Sequence, residues 1–135
     1  MQLQEIIEIF NSGFAPVAEK FVHIDVGVVD APNAEQNQVN RVVNVDHIWK
    51  PGVYVFWHPQ RGVIRVGRSL DNSRKRALQH ISSNTGGTMS CLASDPQARL
   101  ILFNVKDPMD NFWVAALEIY LERELNPEIA SGRQG

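Results

Sequence analysis

One cysteine, Cys91, in 135 residues excludes an internal disulfide and the stapled scaffolds of small secreted domains. No apolar run reaches the roughly 20 residues that a membrane-spanning helix needs. The stretch from Met1 to Phe10 lacks a basic residue and carries Glu5 and Glu8, unlike a secretory signal peptide. These absences set the expectation of a cytoplasmic chain with no membrane partner. There is no internal repeat and no low-complexity tract. The histidines at 23, 47 and 58 do not form metal-ligand spacing with Cys91. Gly86-Gly87 lacks the lysine and spacing of a phosphate loop. Cys91 has no activating neighbour in sequence, which points to a structural or incidental role.

What is present is an ordinary globular composition, 44% hydrophobic and 21% charged, sufficient for one domain with one sizeable core. The formal net charge is −2, which does not advertise a nucleic-acid binder. The average hides an asymmetry. Between Arg61 and His80, six basic residues face only Asp71, a local charge of +5, so the remainder carries −7. Such a local field can recruit phosphate on an acidic protein. Scattered surface arginines at a solvated helix start would account equally for the charge.

Leu3, Ile6, Ile7 and Phe10 recur at helical spacing, with Asn11-Ser12-Gly13 as the stop. Phe21 to Val29 and Arg41 to Ile48 read as strands, separated by a loop from Asp30 to Asn40. Gly52 to Trp57 and Val63 to Ser69 read as a hairpin around Pro59 and Gly62. Leu70-Asp71-Asn72-Ser73 supplies capping residues for a helix from about Arg74 to Ile81, and Ser82 to Ser90 reads as a loop. Ala98 to Val105 predicts another strand. Asp107 to Asn111 can cap a long helix, Phe112 to Leu125, ended by Asn126-Pro127. The expected organisation is an amino-terminal extension over residues 1–49 packed on a core domain over 50–130, with a tail at 131–135.

Three groups of residues could do chemistry. Glu118 stands alone in an apolar helix, where a carboxylate withdrawn from water needs a cation or hydrogen bonds. A divalent metal or an arginine would serve; alternatively Glu118 and Glu122 form a solvent-facing polar stripe. Arg76 and His80, four apart, project from one helix face. There a guanidinium can grip phosphate bidentately and an imidazole can relay a proton; an exposed basic turn with a half-buried histidine fits the same spacing. Tyr54 lies on a strand, as core packing or as a base whose hydroxyl meets a cation.

Taken in order, Gly52-Val53-Tyr54, a short hairpin, Arg65-Val66-Gly67, Arg68-Ser69, Arg76-x-x-x-His80 and a carboxylate on the last helix form a pattern. It resembles the GIY-YIG nuclease superfamily, over about Gly52 to Pro127. The resemblance implies an α+β fold, a small antiparallel sheet flanked by helices, here with an amino-terminal helix and strand extension. Tyr54 matches the first motif tyrosine, Arg76 the helix arginine with His80 four later, and Glu118 the metal-binding glutamate ahead of Leu125-Asn126-Pro127. One extra residue separates Arg76 from Gly67. Two positions depart from the pattern: Arg65 replaces the second motif tyrosine, as in a branch with a basic residue there, and Ala130 stands near the family's late asparagine.

The resemblance implies a metal-dependent endonuclease that hydrolyses phosphodiester bonds. Glu118 would hold one Mg²⁺ or Mn²⁺. Tyr54 would align or deprotonate water, Arg76 would balance phosphoryl charge, and His80 would assist proton transfer. Arginine stays protonated and makes a poor base, so Arg65 would hold phosphate or polarise a hydroxyl. Arg68, Ser69, Arg74 and Lys75 would track a nucleic-acid backbone, DNA ahead of RNA. A small domain of this kind could pair as a homodimer to gain a second cleaving site. The rival expectations are a catalytically degenerate nucleic-acid or protein-binding module on the same fold, and an enzyme acting on a small phosphorylated compound in a closed pocket.

Overall fold

The computed structural model describes residues 1–36, 42–82 and 89–130. It is an α+β protein built on a four-stranded antiparallel sheet: β1 (Phe21–Gly27), β2 (Gly52–His58), β3 (Gly62–Ser69) and β4 (Arg99–Val105), in spatial order β1-β4-β2-β3. Three helices flank it, α1 (Leu3–Gly13), α2 (Ser73–Ser82) and α3 (Phe112–Leu125). No helix of the described residues is long and apolar enough to cross a membrane.

Both faces of the sheet are covered, so the central strands carry apolar side chains on both sides rather than alternating with polar ones. Tyr54, Phe56, Leu100 and Leu102 face one layer, with Ala77 and Ile81 of α2. Val53, Val55, Ile101 and Phe103 face the other, with Ile6 and Phe10 of α1 and Val114, Leu117, Leu121 and Leu125 of α3. Phe10 packs on Phe103 with ring centroids 4.7 Å apart. Burying each such side chain contributes about 1.5–3 kcal/mol. Helix α1 runs through Asn11-Ser12-Gly13 rather than stopping before it, and the Tyr120 hydroxyl donates to the Ile9 carbonyl at 2.8 Å, tying α1 to α3.

The amino-terminal segment contributes a full strand, since β1 pairs with β4 from Phe21↔Val105 to Gly27↔Arg99. The strand expected over Arg41 to Ile48 does not form: residue 41 lies outside the described residues, and Val45–His47 is a single 3-10 turn. Asn44 breaks the extended run with φ of 64° and donates from its side chain to the His23 carbonyl. Val43 and Val45, whose alternation with polar residues suggested a strand, do not share a face: Val45 packs inward with Val42, while Val43 stays exposed. Ala31–Gln36, expected as loop, forms 3-10 turns. The rest of that loop (37–40), the glycine-rich loop (83–88) and the tail (131–135) lie outside the described residues.

The β2–β3 hairpin turns through Pro59, Gln60 and Arg61, closed by Gly62 at φ 74°. Its register slips at one point: Phe56 pairs with Arg65 and Trp57 with Val63, so Ile64 has no opposite number. This β-bulge turns Ile64 toward the α2 layer and lets Arg65 follow it there. The hairpin leads into α2 through a dense cap. Ser69 Oγ accepts from the backbone of Asp71 and Asn72, and Asn72 Oδ1 accepts from the Lys75 N–H, the helix start expected of these residues.

Candidate functional site

Tyr54 and Gly67 are register partners on β2 and β3, and the phenol ring lies across the glycine. A Cβ on Gly67 would stand 2.3 Å from both Tyr54 Cζ and Oη, so the bare backbone at this position makes room for the ring. Because β3 is an edge strand, the hydroxyl is carried to the margin of the sheet.

From α2, His80 places Nε2 3.1 Å from the Tyr54 hydroxyl, with the two rings edge to face at 5.4 Å. The cations of Arg65 and Arg76 and the carboxylate of Glu118 are all close enough to act on that phenol. The Tyr54 hydroxyl, on the α2 face of the sheet, and the Glu118 carboxyl, on α3 at the opposite face, are thus near enough to act on each other. Burial pushes the Tyr54 hydroxyl up to about 12, against the pull of Arg65 and Arg76 and with a further push from Glu118. Burial, reinforced by Arg65 and Arg76, brings His80 down to about 4. At neutral pH the pair is an uncharged imidazole beside an uncharged phenol. Guanidinium groups only donate, so Arg65 and Arg76 can address the phenol only through its oxygen, and the Tyr54–His80 hydrogen bond runs in the direction that the imidazole tautomer sets.

Glu118 is 5% exposed, which settles its surroundings in favour of a withdrawn carboxylate rather than a solvent-facing stripe. Its Oε1 lies 3.4 Å from Arg68 Nη1, an ion pair half open to solvent on the arginine side. The buried Nε of Arg65 has no hydrogen-bond partner among the described residues. Arg76 is exposed on α2 and reaches the Gln79 side chain at 3.3 Å.

The other basic residues separate. Arg74 forms an ion pair with Glu35 of the amino-terminal segment, which holds the Glu35 carboxyl below its usual range. Lys75 lines an apolar cleft with Val28, Val29 and Leu78, away from the phenol. Ser69 is occupied in the turn before α2. Sequence reasoning missed Glu35, since nothing local marks it as a partner for a residue 39 positions on. It also missed that Arg68 would pair with Glu118; a lone carboxylate and a strand arginine gave the ingredients but not the distance.

Within the cluster, Glu118 is the acid among the described residues that a metal could use. Among the described residues no group of three or more His, Cys, Asp or Glu could cage an ion. Glu118 supplies hard oxygen of the kind Mg²⁺ or Mn²⁺ takes, and a single carboxylate fits an ion that arrives with phosphate.

No protein-family model, no curated protein and no solved structure matches the chain.

Proposed function

We propose that the chain is a GIY-YIG-type endonuclease whose site is the Tyr54–His80–Arg65–Arg76–Glu118 cluster, hydrolysing a nucleic-acid phosphodiester. The observation that carries the reading is the meeting of a phenol, a neutral imidazole, two guanidiniums and one acid at the β3 edge, from residues up to 64 positions apart. Arg76 and Arg65 are suited to bind the phosphoryl oxygens through their guanidinium groups. Glu118 would hold Mg²⁺ or Mn²⁺, which when bound supplies charge stabilisation to the phosphoryl and leaving oxygens.

With its hydroxyl held protonated, Tyr54 acts as a relay rather than a standing base. Its oxygen takes a proton from the attacking water as its own proton passes to His80 Nε2. The water oxygen bonds to phosphorus, the bond to the leaving oxygen breaks, and that oxygen takes a proton from solvent. A pKa of about 4 makes His80 a weak acceptor in the free protein. A bound phosphate would neutralise the arginines that hold it down, raising its basicity when substrate is present.

One observation favours a second reading, the degenerate binding module: Arg68 already partners Glu118, so the acid has a cation without a metal. Purified protein with supercoiled plasmid and Mn²⁺ separates the two. Cleavage reduced by about 10²-fold or more in Tyr54→Phe and Glu118→Ala is expected for the nuclease. Plasmid binding without cleavage by wild type would replace it with the second reading. Neither binding nor cleavage would remove the nuclease and the nucleic-acid-binding module together, leaving protein binding as the use of the fold.

A further inference from the structure

A cleft of about 470 Å³ opens between α2 and the turns that follow β1, a size typical of small-molecule sites. Val28, Val29, Pro32, Leu78, Ile81 and Ala93 supply its apolar lining. Val28 and Ile81 are buried, whereas Val29 stands 48% exposed. On α2 the positions 75, 78, 79 and 82 fall on one helical face, which brings Lys75, Gln79 and Ser82 to the cleft beside Leu78. Arg76 and His80 belong to the candidate site instead. Of the described residues that line the cleft, Lys75 alone is charged, and its ammonium has no ion pair among the described residues. The nearby acids are engaged elsewhere. Glu35 pairs with Arg74, and the Asp30 carboxylate lies by Gly27 with the Arg99 guanidinium.

We propose that the cleft binds a small anionic amphiphile, an acyl chain lying along the apolar walls with its carboxylate at Lys75. The proposal is independent of the nuclease reading. Charge selects the head group. Lys75 offers an ammonium, and one turn on, the Oε1 of Gln79 is taken by Arg76 at 3.3 Å, so the amide has N–H donors left to offer. Both residues are exposed, so a head group beside them keeps its contact with water while the tail leaves it. Covering Val29 and Leu78 removes apolar surface from water, which drives the tail into the cleft. A lining with a cation and no acid does not complement itself, which argues against a second copy as the occupant. Nine lining residues also fall short of the roughly 20–30 that a protein partner covers on each side.

Titration of the full chain with decanoate, followed by NMR of amide and methyl groups, tests the assignment. Signals of Val29, Leu78 and Ala93 should move and saturate below about 1 mM. Binding should tighten about fourfold per added methylene from hexanoate to decanoate. Lys75→Gln should weaken decanoate about threefold and leave decanol unmoved. Val29→Glu sets a like charge in the apolar wall and should weaken decanoate about tenfold or more, with an unchanged circular dichroism spectrum because the site is exposed. No saturable shift at about 1 mM decanoate overturns the proposal, as do shifts that spare the cleft. A Lys75→Gln chain that binds decanoate like wild type, or that loses decanol equally, overturns the place of the head group. Cleft signals that move on dilution without decanoate would give the face to a second copy. Signals that answer an acidic amphipathic peptide but not decanoate would give it to a protein partner. Either result overturns the small-molecule site.

Discussion

His80 sits where burial and the cations of Arg65 and Arg76 all oppose its protonation, and its pKa falls from 6.5 to about 4. Between those values the unfolded chain binds a proton that the folded chain refuses. Stability from this site is therefore complete above about pH 6.5, declines as pH falls, and levels off below about 4. His47 is shifted in the same direction, chiefly by burial and then by Lys50, so the contribution of His80 must be read as a difference. Urea midpoints measured from pH 7 to 4 should fall more steeply for wild type than for His80→Gln. Parallel curves would mean that the imidazole is not held neutral. In the site itself, spacing along the chain made Arg76 and His80 legible, because four residues on a helix share a face. The tyrosine–histidine contact was not, because it joins residues 26 apart through a ring passing over Gly67, and no local pattern encodes that path.

At the scale of elements, α2 is fixed to the sheet by a buried polar chain. Ser73 Oγ donates to Asn104 Oδ1 at 2.6 Å, and Asn104 Nδ2 donates to the His47 carbonyl at 2.8 Å. The Ser73 N–H donates to the Lys50 carbonyl. Ser73 and Asn104 are both fully buried, so neither has water to fall back on. Asn104→Ala strands two partners at about 1–3 kcal/mol each and is expected to cost about 3 kcal/mol in chemical denaturation. A loss below about 1 kcal/mol would mean that the network does not anchor the helix. The strands β2, β3 and β4 and helix α3 were readable because long apolar runs ended at strong stops, such as Asn126-Pro127. The span from Arg41 to Ile48 was misread for a definite reason. Val43 and Val45, alternating with polar residues, mimic a half-buried strand, but the left-handed Asn44 between them spends its side chain on β1.

For the molecule as a whole, the exposed margin of β3 is shared between two uses. The end nearer Gly67 and Arg68 carries the candidate site. The end nearer Val63 is closed by the carboxy-terminal segment, where the N–H groups of Glu128 and Ile129 donate to the carbonyls of Val63 and Ile64 at 3.0 and 2.8 Å. Arg61 reinforces this clasp through both oxygens of Glu128. Ile129→Pro removes one of these donors and should cost about 1–3 kcal/mol in chemical denaturation. A midpoint equal to that of wild type would mean that the clasp does not contribute. The clasp also governs how this protein is born. During translation, β3 leaves the ribosome about sixty residues ahead of the segment that covers it, an interval of several seconds at 5–20 residues per second. Throughout that interval neighbouring nascent chains on one messenger would each offer the same bare strand, so slower elongation past α3 would prolong their chance to entangle.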